Sequence, residues 1–511
     1  MSTGDLREVP VLCVFITFVL EVIIMTETKK QVLSYIDEKS DVIIDTSDKI
    51  WEFAELSLRE FQSGELYAKV LREEGFEVEH PFCNIKTAFR ASYGSGKPVI
   101  GILAEYDALT GLSQVSGSAE RKELVANGNG HGCGHNLLGT GAMAAAFAVK
   151  KYLEGKGEGS GTVILYGCPG EEGSATKAFM ARDGVFKECD AALTWHPGNT
   201  NQVTSGTCNT CIQSEYKFTG VASHAAGAPE KGRSALDAVE LMNIGVQFLR
   251  EHMPDGARIH YSITDAGGDS PNVVQPRAQV LYMVRSVWAK DALELQRRVD
   301  TIAQAAAMMT ETKMEKKFID GCSNTVPNKV LESLLWDNFN EVELPSYTDE
   351  EIEYAKAINE SVEMKPTALP GAATDESQEI WEFVDKVSEH GTLPINNFLI
   401  PYFYSEKPRH GSTDVGDCSW LVPTAQINTA TWPSWTPGHS WQNVSCGHTS
   451  ISHKATLLAG KVIAATAIDL IEKPDVLQAA KDEYEAKMKR YGGYFCPVPK
   501  DAVPAVPGEK I

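Results

Sequence analysis

Residues 161–173 read GTVILYGCPGEEG and residues 189–198 read CDAALTWHPG. Each is a short apolar run stopped by Gly, Pro and a polar residue, the pattern of a strand buried on both faces. Residues 97–109, KPVIGILAEYDAL, repeat it, with TAFRASYG (87–94) as a more polar neighbour. Between them LLGTGAMAAAFAVKKYLEGKG (137–157) is an Ala-rich stretch closed by Gly, which predicts a helix. Strand, helix, strand in this rhythm is the signature of an α/β fold: a mostly parallel sheet with helices on both faces. In such a sheet the crevice at the carboxyl ends of the strands is where ligands bind, so the polar residues that stop each run are candidate functional groups.

Upstream, QVLSYIDEKSDVIIDTSDKIWEF and YAKVLREEGF carry apolar residues at helical spacing and predict two helices over 27–76. Downstream, YKFTGV, GRSALDAVELMNIGVQFLREHM, RIHYSITD, RAQVLYMVRSV, DALELQRRVDTIAQAAAMM and ETKMEKKFI give β-α-β-β-α-β, a ferredoxin-like unit inserted as a second domain. The expected division is an apolar N-terminal extension at 1–26, a first catalytic segment at 27–203, the inserted unit at 204–320 and a second catalytic segment at 321–511. That last segment reads as irregular and Pro-rich, with an insertion over 345–410. Helices are expected near 349–363 and 376–389, with a long one at KATLLAGKVIAATAIDLIEK and an extended strap after Cys496.

With 511 residues, 43% hydrophobic and 23% charged, the chain has the composition of a globular protein with more than one core. A net charge of -22 repels nucleic acid and anionic membranes, so neither is an expected partner. Eleven scattered cysteines do not form a secreted disulfide framework and point to a cytoplasmic protein. Cys208 and Cys211 form a C-x-x-C inside a strand-like run, not at the helix N-terminus a redox pair needs, and read as structural. The apolar run from Val9 is interrupted by Glu21, too short to span a membrane, and lacks signal-peptide flanks. Met25 opens an ordinary polar start, so residues before it are expected to reflect a non-native start.

Four segments carry metal-binding chemistry. HGCGH (131–135) can aim Cys133 and His135 from one Gly-rich turn at one ion. In PGEEG the adjacent Glu171 and Glu172 point apart, so one can bind metal while the other moves protons. TWHP places His196 past a strand, and TPGHSW places His439 in a Gly/Pro loop. A lone His or Cys is more often a packing residue than a ligand; the joint occurrence behind apolar strands is what points to a metal centre. His80, His252 and His390 read as surface residues, and His131, His410, His448 and His453 have no assigned duty.

These segments, with AEYDALTGLSQ, SHAAGAP, GRSALDAV, SPNVVQ, STDVGD and SISHK, resemble the aminoacylase, glutamate carboxypeptidase and auxin-conjugate amidohydrolase family over residues 27 to 505. The resemblance implies two divalent ions per subunit, manganese before zinc, bridged by Cys133, with His135 and His196 on one and Glu172 and His439 on the other. It implies Glu171 as general base, Asp107 as the carboxylate orienting a ligand histidine, and His224 and Asn272 as oxyanion donors. Arg233 and Arg285 are the candidate grips for a substrate carboxylate. The expected reaction is hydrolysis of N-acyl or N-aroyl amino acids, p-aminobenzoyl-glutamate first. A dipeptidase, an amidase for another aryl conjugate, or a non-catalytic partner of a homologous subunit are the alternatives. The family implies a homodimer, or a hetero-oligomer with such a subunit, in which His224 serves the neighbouring site.

Overall fold

A computed structural model describes residues 25–409 and 411–506. The apolar N-terminal run and His410 therefore lie outside the described residues. The chain enters through helices Glu27–Glu38, Ser40–Phe53 and Phe61–Glu73. Three helices stand where the periodicity suggested two, because Lys39 departs from helical geometry between the first pair without disturbing the apolar stripe. Thr26 caps the first helix by accepting from Lys29 N–H.

The larger sheet contains β1 (Glu77–Glu79), β2 (Phe89–Ser95), β3 (Val99–Ala104), β4 (Gly161–Gly167), β5 (Ala191–Gly198), β6 (Gln202–Thr204) and, far along the chain, β11 (Thr424–Ala430). Its order is β1-β2-β4-β3-β5-β11-β6. The central strands β4, β3, β5 and β11 are parallel, whereas β2, β1 and β6 pair antiparallel at the edges. β11, sequence TAQINTA, is too polar to have been read as a buried strand. Its polar groups are used locally: Asn428 Nδ2 donates to the carbonyl of His196 at 3.1 Å.

Helices His135–Lys156 and Ser450–Glu472 cover one face of this sheet. Small residues let them approach closely, and a Cβ on Gly460 would stand 2.8 Å from the Ala144 methyl. Helices Thr176–Arg182 and Val415–Ser419 cover the other face, around Leu103, Ile164 and Tyr166. Cover on both sides is why β3, β4 and β5 read as continuous apolar runs. Helices Asp349–Glu360 and Gln378–Val387 fall near their expected positions, but the region also holds Lys329–Glu341 and, later, Pro474–Tyr491, which the Pro-rich reading passed over. Residues 492–506 run without helix or strand across the surface. There Ser174 Oγ donates to the carbonyl of Ala505 at 2.9 Å and Arg182 donates to those of Pro499 and Ala502.

The second sheet is wholly antiparallel, with β7 (Thr210–Thr219), β8 (Arg258–Asp265), β9 (Arg277–Ser286) and β10 (Lys313–Cys322) in the order β10-β7-β9-β8. Helices Ala235–Leu249 and Ala289–Thr310 pack on one face around Tyr216, Tyr282 and Val299. This is a β-α-β-β-α-β unit. Neither of these two helices covers its other face, and a bulge at Ile319 in β10 resets which residues point there.

Candidate active site

The strand ends converge on one crevice. β4 runs out through Gly170, which takes a left-handed conformation (φ 68°) and turns the chain into the short helix Glu171–Ser174. β5 ends around His196, and β3 is followed immediately by Glu105 and Asp107. The HGCGH turn delivers Cys133 and then His135 at the start of its long helix. Gly134 between them (φ 76°) has no room for a side chain, since a Cβ would meet Trp432 at 2.9 Å and Pro197 at 3.1 Å. His439 follows β11 in a loop of its own, also in the left-handed region (φ 53°).

Donor atoms of Cys133, His135 and His196 lie within 4.8 Å of one another, and so do those of Cys133, Glu172 and His439. Cys133 is common to both sets. Its Sγ is 3.4 Å from His196 Nε2, and His439 Nε2 is 3.3 Å from Glu172 Oε1. Such separations suit ligands around an ion with bonds of about 2.0–2.3 Å.

Hydrogen bonds fix which atoms face the gap. His196 Nδ1 donates to the carbonyl of Pro197 at 2.7 Å and His135 Nδ1 donates to Asp107 Oδ1 at 2.9 Å, so that each Nε2 is the ring nitrogen turned to the gap. Asp107 is held in turn, its Oδ2 accepting from Ser57 Oγ at 2.7 Å and Glu172 N–H at 3.0 Å. Burial opposes its charge, but the His135 bond and these donors win and hold its carboxyl at about 2. His135 Nε2 and Glu172 Oε1 are buried yet accept no hydrogen bond. Burial pushes the Cys133 thiol up to about 12. Buried, unsatisfied acceptors beside a thiol that needs positive charge to ionise fit a pair of divalent cations.

Glu171 belongs to neither set with Cys133. Its carboxyl is pushed well above the usual range by burial and then by the negative charges of Glu105 and Asp414. Those two carboxylates clamp Lys177, whose Nζ is 2.7 Å from Glu105 and 2.6 Å from Asp414 in a fully buried network. Glu105 also lies 3.3 Å from His135 Nε2. Sequence reasoning missed all three. The only signal was the alternation in AEYDAL, which puts Glu105 and Asp107 on the same side of an extended chain.

Arg285, on β9, lines the same crevice of about 340 Å³ as Glu171, Glu172 and His439, and its Nη1 donates to Ser412 Oγ at 3.2 Å. Arg233 does not reach it. It pairs with Glu311 at 2.9 Å and donates to the carbonyls of Glu230 and Gly232. His224 and Asn272 stand together on the inserted unit, joined by Ala225 N–H donating to the Asn272 carbonyl. Both are exposed and neither lines the crevice. The His224 ring accepts from its own loop, at Ala226 N–H and Gly227 N–H.

The remaining histidines sort by packing. His131 is buried against the Ile50 carbonyl at 3.0 Å, and burial lowers it to about 4. His448 and His453 both contact Asp48, away from the crevice. His80, read as a surface residue, is tucked in, its side chain 11% exposed and its Nδ1 on the Ala88 carbonyl at 2.9 Å. His252 and His390 are exposed. Cys208, ahead of β7, and Cys211, within it, are both free thiols.

Residues 101–403 match the family described as Peptidase family M20/M25/M40. The chain is 44% identical over 467 residues to one of the subunits of the p-aminobenzoyl-glutamate hydrolase of Escherichia coli, covering 90% of this chain and 95% of that one. It is 25% identical over 488 residues to the Xaa-Arg dipeptidase of Mus musculus, covering 90% and 93%. Among solved structures, an aminobenzoyl-glutamate utilization protein from Klebsiella pneumoniae superposes with a TM-score of 0.56 at 15% identity, covering 85% of this chain and 98% of that one. The Bacillus subtilis YXEP protein, a dinuclear metal binding peptidase, does so with a TM-score of 0.51 at 16% identity, covering 85% and 99%. The likeness to these two structures is one of fold, while the family match and the Escherichia coli relative decide membership: this chain belongs to peptidase family M20/M25/M40.

Proposed function

We propose that this protein is a dinuclear metal-dependent amidohydrolase that cleaves the amide of N-acyl or N-aroyl amino acids, p-aminobenzoyl-glutamate being the favoured substrate. The observation that carries it is one thiol, Cys133, shared by two ligand sets, with a carboxyl, Glu171, that is in neither of them but stands within 4.8 Å of His135 in a further group with Glu105. The 44% relative supports the aroyl-glutamate choice. Two divalent ions held by Cys133, His135, His196, Glu172 and His439 would polarise the scissile carbonyl and bring the pKa of a bound water to about 7. Glu171 takes the proton of that water and returns it to the leaving nitrogen, and the burial that raises its carboxyl suits the return. Asp107 holds His135 in the right tautomer, and Arg285 grips the substrate carboxylate with two parallel N–H donors. Manganese is the first choice of metal and zinc the second, a thiolate suiting the softer ion.

Purified alone and supplied with Mn²⁺ or Zn²⁺, the protein should release p-aminobenzoate from p-aminobenzoyl-glutamate, and a chelator should stop it. Metal-loaded protein that cleaves no N-acyl amino acid without a homologous subunit is instead the non-catalytic partner. The intact Glu171 speaks against that outcome.

The position of His224 and Asn272 outside the crevice supports a homodimer in which each inserted unit serves its neighbour's site. Glu171→Gln and His224→Ala proteins, each inactive, should then regain activity when unfolded together and reassembled. Random pairing makes half the dimers mixed and each mixed dimer has one whole site, so recovery should approach about a quarter of wild type. No recovery despite demonstrated subunit exchange assigns His224 to its own chain. The free thiols among the described cysteines fit a reducing, cytoplasmic setting.

A further inference from the structure

The face of the smaller sheet that its own two helices leave uncovered forms a wall of the crevice that Glu171, Glu172 and His439 also line. Two cross-strand rows lie on it. In one, Asp320 of β10 pairs with Gln213 of β7, which pairs with Met283 of β9; in the other, Cys322 pairs with Cys211 and Cys211 with Arg285. The rows are two residues apart and so point the same way, and all six side chains line the crevice with Glu171. Asp320 faces it only because of the bulge: register slips between Phe318 and Asp320, leaving Ile319 unpaired and turning the acid inward.

Arg285 and Asp320 make an unlike pair. Their strands flank β7, so their backbones stand about 10 Å apart. The Arg285 guanidinium is tied to Ser412 Oγ, while the Asp320 carboxyl accepts no hydrogen bond among the described residues and has Arg285 only as a distant charge. Burial, with Asp414 adding to it against the pull of Arg285, pushes that carboxyl up to about 7. A recessed acid aimed into a cleft with no partner is costly unless the ligand brings one.

We propose that Asp320 is a specificity-determining residue that accepts a hydrogen bond from an amino group of the substrate, so that the crevice takes dipolar molecules, with a carboxylate at Arg285 and a nitrogen donor at Asp320. This rests on the amidohydrolase reading and narrows it. The amino group can sit on the acyl half, as in a 4-aminobenzoyl group, or on the amino-acid half, as in a basic side chain. The shared chemistry is an N–H donor several bonds from the scissile amide.

Paired substrates separate the two sources: 4-aminobenzoyl-glutamate against benzoyl-glutamate, and benzoyl-lysine against benzoyl-norleucine. In the manganese-loaded wild type the amino-bearing member of one pair should be preferred about 10-fold in kcat/KM, the scale of a hydrogen bond to a carboxylate. In Asp320→Leu, which keeps the bulk and removes the acceptor, that preference should fall below about 2-fold, with Asp320→Glu recovering part of it. Each preference is a ratio within one preparation, so a loss of folded protein cancels. The pair that responds names the half that Asp320 reads. Preferences unchanged in Asp320→Leu for both pairs, or absent from wild type, overturn the proposal. Calorimetric binding of the same pairs to Glu171→Gln protein, with and without Asp320→Leu, gives the ratio without turnover. If wild type cleaves none of the four, the amidohydrolase reading fails while the binding ratios still decide whether Asp320 accepts an amine.

Discussion

Glu171→Gln should retain both metal ions and lose about 10²–10⁴-fold in kcat, the contribution of a positioned general base. The two glutamates of the turn are adjacent in sequence but differ in surroundings. Glu172 shares the set with Cys133 and His439, and its backbone N–H is fixed by Asp107. Glu171 is buried, and burial first, then the negative charges of Glu105 and Asp414, keep its carboxyl hungry for a proton. Glutamine keeps the shape and hydrogen-bonding reach of the side chain but cannot take a proton from water. Metal analysis beside steady-state kinetics checks this. A variant that loses metal together with activity means the roles of Glu171 and Glu172 are exchanged.

Cys133→Ala should have the larger effect on metal content, emptying both positions at once because one sulfur belongs to both donor sets. Loss of an outer partner such as Asp107 typically costs about 10–100-fold in affinity, and removal of a direct shared ligand should exceed that. Cys133→Asp should recover part of the binding, since a carboxylate can also reach two ions from one side chain. Titration of the metal-free variants with Mn²⁺ and Zn²⁺ tests the order wild type, Asp, Ala. Wild-type stoichiometry in Cys133→Ala removes the shared-ligand assignment altogether.

Much of this was legible in the sequence because the relevant signals are local. Buried strands announce themselves as apolar runs, and a parallel sheet places whatever follows them at a common edge, so His196, the Glu171–Glu172 turn and Asp107 could be grouped by their positions along the chain alone. Residues whose role depends on distant partners were not legible. Lys177 sits in an apolar helix and becomes meaningful only when Glu105 and Asp414, from opposite ends of the chain, close on it. Asp320 depends on a one-residue bulge that no spacing rule reveals. Arg233 and Arg285 looked equivalent as carboxylate grips; which one reaches the crevice was settled by Glu311, which holds Arg233 elsewhere. β11 escaped notice because its side chains are mostly small or polar, and its strand character comes from pairing on both edges, with β5 and β6.

That position of β11 bears on how the molecule comes into being. Residues 191–204 of β5 and β6 leave the ribosome some two hundred residues before 424–430, yet β11 must lie between them. The nascent chain therefore cannot zip the larger sheet in order of synthesis. It has to keep a gap open until the chain beyond the inserted unit has been made. Closing so distant a pairing is slow. Whatever His439 contributes to the crevice therefore arrives late, after translation has passed the last strand of the larger sheet.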